Sequence, residues 1–183
     1  MKKIALSIIA LSTIVFFACE EKSTTNPSST TTTTTGGGTT GATYFVSANI
    51  NGVYKEFTNL VVYRNEDVSD ESLLVVAGLP NNVAKPSIEL NIKKPAAGWS
   101  DNINYSLNIE NASTYIKYTN EAGRVYSSSN VLVDETPFKI NFSKFNFTKG
   151  GSVVGTMNGK LFIDIDTTTI SITNGKLNMV CEN

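Results

Sequence analysis

The sequence contains no histidine, and only two of its 183 residues are cysteine. Without histidine, the chain cannot form a Ser-His or Cys-His catalytic pair or a histidine-ligated zinc or haem site. Two cysteines are too few for an all-cysteine metal site or a framework of several disulfides. Because the 15 basic and 16 acidic side chains nearly balance, the composition predicts no basic surface for nucleic acid. Carboxylate chemistry, oxygen-ligated calcium and binding without chemistry remain.

The N-terminus has the pattern of a lipoprotein signal peptide. Two lysines precede a mostly apolar run over residues 4–17. The run is too short for a bilayer core, which needs roughly 20 residues, and it has the length of the apolar part of a signal peptide. It ends in the sequence FFAC, which resembles a bacterial lipobox. We therefore predict a signal peptide over residues 1–18 and a lipid on Cys19. An ordinary secretory signal and an uncleaved anchor are the alternatives.

The residues after Cys19 indicate where the protein goes and how it is tethered. The sequence EEK follows this cysteine and resembles the short acidic export signal of Bacteroidetes lipoproteins. The resemblance implies an outer-membrane protein exposed at the cell surface, with a periplasm-facing orientation as the alternative. Residues 20–42 are mainly Thr, Ser and Gly, so residues 19–42 are predicted to comprise the lipidated cysteine and a disordered linker. Cleavage removes two lysines and changes the net charge from −1 to −3.

Residues 43–183 are predicted to form one all-β domain. Apolar and polar residues alternate over most of this region, as in strands with one buried and one solvent-facing side. The clearest runs are 88–92, 105–109 and 161–166. No stretch shows an equally clear helical periodicity. We predict roughly nine to eleven strands in a single antiparallel β-sandwich of the jelly-roll or immunoglobulin-like type, with a β-barrel as the alternative.

Turn residues support this prediction. The Asn-Gly pair at 51–52 lies between two alternating segments and predicts a type I′ hairpin turn. The Asn-Gly pairs at 158–159 and 174–175 fit either a tight turn or a bulge inside a long strand. The phenylalanines around 138–147 change parity, so a continuous strand there requires a bulge near Ser143 and Lys144 to keep both sets buried.

The order of these features is similar to that of a group of small Bacteroidetes lipoproteins of unknown function. That group has an Ala-x-x-Asn-Gly opening hairpin, a glycine turn before a tyrosine-rich strand, a Gly-Thr near the penultimate strand and a closing Thr-x-Gly segment. Here these features are Ala48 with Asn51-Gly52, Gly98 with Tyr105, Gly155-Thr156 and Thr173-Asn174-Gly175. The resemblance covers nearly all of 43–183. It implies an all-β envelope lipoprotein and carries over no catalytic residue to this chain. We predict no cofactor.

Trp99 is the only tryptophan and lies between two predicted strands, in the sequence PAAGWSDN. An exposed indole can stack on a sugar ring while neighbouring polar side chains bind the sugar hydroxyls. Trp99, Asp101 and Asn102 are therefore our candidate ligand-binding residues. The alternative is that Trp99 fills or covers the end of the core.

A second group of candidate residues lies further along the chain. Asp164 and Asp166 share one face of a predicted strand and offer oxygen ligands to calcium, although no calcium-binding motif accompanies them. Asp166-Thr167-Thr168 resembles the short O-glycosylation sequence of Bacteroidetes, which makes Thr167 a candidate acceptor. A solvated acidic face is the alternative to the calcium site.

Together these observations predict a lipid-anchored cell-envelope protein that binds or interacts at the surface without catalysis. Its expected partners are the membrane, through the lipid, and a glycan or another envelope protein, but not nucleic acid. A structural envelope component and a glycan-binding module of a polysaccharide-uptake system are the alternatives. A glycosidase that uses the carboxylates of Asp67, Asp70 or Glu71 is the last alternative.

Overall fold

The computed structural model describes residues 44–80, 82–111, 113–163 and 168–181. The predicted signal peptide and linker, and with them Cys19, lie outside the described residues. The same is true of Asp164, Asp166 and Thr167. The lipid, calcium and O-glycan sites therefore stay predictions.

The described residues form eleven β-strands and two short 3₁₀ helices. In chain order the strands are β1 (Phe45–Ile50), β2 (Val53–Phe57), β3 (Asn59–Asn65), β4 (Ser72–Leu79), β5 (Asn82–Lys93), β6 (Ile103–Leu107), β7 (Tyr115–Thr119), β8 (Val125–Ser127), β9 (Phe138–Phe145), β10 (Ser152–Phe162) and β11 (Thr169–Val180). The 3₁₀ helices are Ile109–Asn111 and Ser128–Asn130. Within the described ranges, no helix has the length and apolar character needed to span a bilayer.

All the strands belong to one antiparallel sheet. Its main path runs β2-β1-β11-β10-β8-β7-β5-β4-β3, and β9 lies between β10 and β6. The two ends of the path, β2 and β3, are consecutive strands joined by Thr58 alone, so the sheet curves into a nearly closed barrel. The prediction of an all-β antiparallel fold is confirmed. The single curved sheet is closer to the barrel alternative than to two separate sheets.

The alternation of the sequence sorts side chains between the inside and the outside of the barrel. Ile88, Leu90 and Ile92 of β5 are buried, while Glu89 and Asn91 between them are partly exposed. The largest fully buried side chains include Phe57, Phe138, Phe142, Leu73, Leu107, Ile116, Ile140, Met157 and Leu161. Each such burial contributes roughly 1.5–3 kcal/mol. The core therefore fixes which side of each strand faces solvent.

The hairpin predicted at Asn51 and Gly52 is confirmed. Both residues have positive φ, 49° and 83°, as a type I′ turn requires, and they join β1 to β2. The side chain of Asn51 also accepts a hydrogen bond from the backbone nitrogen of Ser171 at 2.8 Å. This bond ties the turn to β11.

The Asn-Gly pairs at 158–159 and 174–175 lie inside β10 and β11, so neither is a tight turn. The register places one bulge here, in β11, where Thr173 and Asn174 lie opposite Asn158 alone. The register between the two strands shifts just after Met157, which pairs with Gly175. A Cβ added to Gly175 would overlap Cγ of Met157 and lie 2.5 Å from its carbonyl oxygen. Only glycine therefore fits at this position without a rearrangement.

The bulge predicted near Ser143 and Lys144 is also confirmed. Phe142 pairs with Gly155 and Lys144 pairs with Val154, so Ser143 is the additional residue in β9. The bulge changes the parity of the strand. As a result, Phe142 and Phe145 are both buried although three positions separate them.

Candidate functional site

The indole of Trp99 is covered by two phenylalanine rings. Its centroid lies 4.6 Å from that of Phe145 with the planes 2° apart, and 4.6 Å from that of Phe147 with the planes 14° apart. Its Nε1 donates a hydrogen bond to Oε2 of Glu71 at 2.8 Å. The stacking surface and the N–H group that a sugar would use are thus engaged by the protein itself.

Glu71 connects this aromatic cluster to the end of β5. Its carboxylate forms an ion pair with Nζ of Lys94 at 2.9 Å, and its carbonyl oxygen accepts a bond from the Lys94 backbone nitrogen at 3.0 Å. The Lys94 ammonium, and after it the Trp99 N–H, hold the pKa of Glu71 below its ordinary value because both stabilise the charged form. A carboxylate held in this way is poorly suited to donate a proton near neutral pH.

Arg64 lines the same pocket, which has a volume of about 500 Å³. The residue is only 7% exposed, and its Nη1 donates to the carbonyl oxygen of Phe147 at 2.8 Å and pairs with Glu66 at 2.7 Å. Its guanidinium also lies 5.7 Å from the ring centroid of Phe147. Among the described residues, Nε of Arg64 has no hydrogen-bond partner. The charges in this pocket are therefore largely neutralised by one another.

The other two predicted ligand residues do not join Trp99 in that pocket. Oδ1 of Asp101 accepts a hydrogen bond from the backbone nitrogen of Phe145 at 2.8 Å, so this carboxylate supports the end of β9. Asn102 has a positive φ of 61° and lines a different pocket. The structure places the three side chains in three separate environments.

The pocket that contains Asn102, which we call the outer groove, lies on the solvent-facing side of β6, β9, β10, β11 and β1. Its volume is about 600 Å³. Amides, hydroxyls and one lysine line it, together with a few apolar residues. The lining residues are Asn102, Asn104, Asn141, Asn178, Ser143, Thr156, Lys176, Phe45, Phe142, Val154, Gly155 and Leu177.

Strand register aligns four of these side chains across the sheet. Asn104 pairs with Asn141, Asn141 with Thr156, and Thr156 with Lys176. Directly paired residues on antiparallel strands point to the same face, with Cβ atoms about 4.5–5.5 Å apart. The four residues therefore form a continuous polar row, which we call the amide row, across β6, β9, β10 and β11.

The amide row is available to a ligand. Within the described part of the chain, the side chains of Asn141, Thr156 and Lys176 make no hydrogen bond and no ion pair. Asn104 makes one long contact, 3.4 Å from its Nδ2 to the carbonyl oxygen of Asn102. The lining residues include no carboxylate, so the groove offers a ligand hydrogen bonds and one positive charge.

The three carboxylates that the glycosidase alternative would use are each bound by neighbouring groups of the protein. Asp67 accepts bonds from the backbone nitrogen and hydroxyl of Ser69 at 3.0 and 2.7 Å, which lowers its pKa. Asp70 pairs with Lys93. Glu71 is held in the Trp99 cluster. In the described ranges, no group of three or more acidic or cysteine side chains is arranged to hold a metal ion.

Cys181 is buried and free. Its thiol lies 3.3 Å from the carbonyl oxygen of Asn146, and burial raises its pKa. A thiol in this state is a poor nucleophile, and we interpret Cys181 as a packing residue.

The sequence prediction did not identify the outer groove, apart from Asn102. Asn104 and Asn141 are recognisable as outward-facing residues of their strands, but an alternating pattern does not reveal which strands pair. A usable signal was present nonetheless. Residues 136–163 contain four lysines and no acidic residue, which indicates that the solvent-facing side of these strands is positively charged.

No family model, no curated protein and no solved structure matches this chain. The function is therefore inferred from the groove and its chemistry, because a fold class alone does not specify a function.

Proposed function

We propose that this chain is a lipid-anchored cell-envelope protein whose β-domain binds a saccharide in the outer groove without catalysis. The observation that carries the proposal is the amide row. Three of its four side chains have no partner among the described residues, and that of Asn104 makes one long hydrogen bond. Asn amides donate and accept hydrogen bonds, as sugar hydroxyls do. They therefore match a hydroxyl-rich ligand better than an apolar one.

The apolar part of the groove supports the same ligand class. Half-buried Phe45 and Val154 lie at one end of the groove, and Phe142 and Leu177 form part of its floor. Binding sites for small polar ligands typically combine apolar surface with a few orienting polar groups. A sugar ring has both kinds of surface, because its C–H groups pack on aromatic side chains while its hydroxyls bind polar ones.

The anchoring part of the proposal comes from the sequence. A lipid on Cys19 would hold the chain at a membrane, and the residues 20–42 would separate the domain from the lipid surface. The proposed location is the outer face of the outer membrane. Protease treatment of intact and lysed cells tests it: loss of the domain only after lysis would place it in the periplasm instead.

Saccharide binding is tested with the full mature chain and a panel of neutral and acidic polysaccharides. The variant N141A/T156A removes two unpartnered members of the amide row. Since each hydrogen bond contributes roughly 0.5–1.5 kcal/mol, we expect an affinity loss of about tenfold. The matched control N59A/T136A makes the same two changes at exposed positions outside the groove and should bind like the wild type.

Two results would overturn saccharide binding in the groove. One is the absence of binding to every polysaccharide in the panel, and the other is equal binding by N141A/T156A and the wild type. If no saccharide binds and the chain co-purifies with another envelope protein, the structural alternative replaces the proposal.

A further inference from the structure

Positive charge is concentrated on the side of the barrel that contains the outer groove. Lys139, Lys144, Lys160 and Lys176 are exposed on β9, β10 and β11. Over the six strands β1, β2, β6, β9, β10 and β11, Glu56 is the only acidic residue. The acidic side chains of the described residues thus lie mainly on the other strands and in loops.

These four lysines have no counter-charge in the described structure. The ion pairs formed by described residues involve Lys55, Arg64, Lys93, Lys94 and Lys117. No ion pair or hydrogen bond to another described residue is made by the side chains of the four lysines. Since the mature chain has a predicted net charge of −3, an uncompensated positive face is a local feature of the fold and not a result of composition.

The lysines are arranged around the amide row. Lys176 is a member of it, and Lys139 lies two positions from Asn141 on the same face of β9. Lys144 pairs with Val154 at the apolar end of the groove. Because strand residues rise about 3.3 Å each, the Cα atoms of Lys139 and Lys144 lie within about 10 Å of Asn141 along β9.

We propose that the outer groove binds an acidic polysaccharide, with sugar carboxylates at Lys139, Lys144 and Lys176 and sugar hydroxyls at the amide row. This inference rests on the proposed function and specifies its ligand class. Spaced lysines separated by neutral amides match a polymer that carries one charge per sugar among many hydroxyls. Nucleic acid is usually met by denser basic surfaces with aromatic stacking platforms.

The test compares polygalacturonate with the same polymer after methyl esterification, which retains the sugar backbone and removes its charge. The full mature chain should bind the charged polymer more tightly, and added salt should weaken this binding. K139Q/K144Q should lower the affinity for polygalacturonate about fivefold or more and leave binding to the ester unchanged, because neither lysine belongs to the amide row. The control K117Q/K149Q has the same net charge, changes two described lysines that do not line the groove and should bind like the wild type.

The outcomes separate the two proposals. Equal binding of both polymers, with N141A/T156A weakening each, would overturn the preference for acidic sugars and leave saccharide binding intact. Binding of neither polymer nor of any other saccharide would remove both. Equal weakening by K139Q/K144Q and K117Q/K149Q would show a non-specific charge effect and overturn the assignment to these lysines. Tighter, lysine-dependent binding of anionic vesicles or RNA would overturn the polysaccharide as the ligand.

Discussion

The indole of Trp99 and the phenyl ring of Phe145 lie 2° from parallel with their centroids 4.6 Å apart. Phe145 in turn meets Phe142 edge-on at 4.9 Å, and Phe147 is stacked on the indole. The four rings connect the segment after β5 to the end of β9 and to the core. Aromatic pairs of this geometry contribute about 0.5–1.5 kcal/mol each beyond the area they bury. Trp99 therefore acts mainly as a packing residue at the end of the barrel.

Replacement of Trp99 by Ala should destabilise the fold. We expect the free energy of unfolding to fall by about 3 kcal/mol, the lower end of the range for tryptophan in cores, because the ring is only partly buried. Trp99→Phe keeps a stacked ring and loses the bond to Glu71, so its cost should be about 1–2 kcal/mol. Urea unfolding followed by circular dichroism measures both, since the variants contain no tryptophan.

The opposite result would restore the original glycan-site hypothesis for this residue. If Trp99→Ala unfolds at the same urea concentration as the wild type but loses saccharide binding, the indole serves the ligand and not the fold. A variant that loses stability but retains binding supports the packing role.

The ion pair of Glu71 with Lys94 should make stability depend on acidic pH. The pKa of this carboxyl is lowered from its ordinary value of 4.5, so its contribution is fully present above that value and is lost as the pH falls through the folded-state pKa. The fluorescence of Trp99, the single tryptophan, should change with a midpoint below pH 4.5. Glu71→Gln should abolish that transition. A midpoint above 4.5, or one retained in Glu71→Gln, would contradict this account.

Local features of the fold were predictable from the sequence. The turn at Asn51 and Gly52 and the bulge at Ser143 depend on the φ preference of a few residues and on the parity of neighbouring apolar side chains. Both signals lie within about ten consecutive residues of the chain. The number and type of strands follow from the same alternation. For this reason the all-β antiparallel fold could be predicted without any relative.

The candidate site was less predictable because it depends on strand pairing. Asn104 and Asn141 become neighbours only when β6 lies beside β9, and Lys176 joins them only through β10. Nothing in an alternating sequence specifies these partners. The environment of Trp99 was ambiguous for a related reason, since a loop tryptophan is covered or exposed according to which distant side chains reach it.

Gly175 should be intolerant of a side chain. A Cβ there would overlap Met157 of β10 beside the bulge of β11, so Gly175→Ala should cost about 1–3 kcal/mol in the free energy of unfolding. Gly150→Ala is the control. Gly150 has open space around it but a positive φ of 75°, and its replacement should cost only about 1 kcal/mol. Urea unfolding of both variants measures the difference, and an equal or smaller cost at Gly175 would show that the bulge can relax.

The predicted lipid should depend on Cys19 alone. Acyl chains contribute about 0.8 kcal/mol of membrane binding per buried CH₂ group, so a chain without them should leave the membrane. We expect Cys19→Ser to lose incorporation of a labelled fatty acid and to move from the detergent phase to the aqueous phase. Cys181→Ser removes the other cysteine, which is buried in the fold, and should remain labelled and membrane-bound. If Cys19→Ser still carries the label, the lipobox interpretation fails, whereas retention at the membrane without label would indicate an uncleaved apolar anchor.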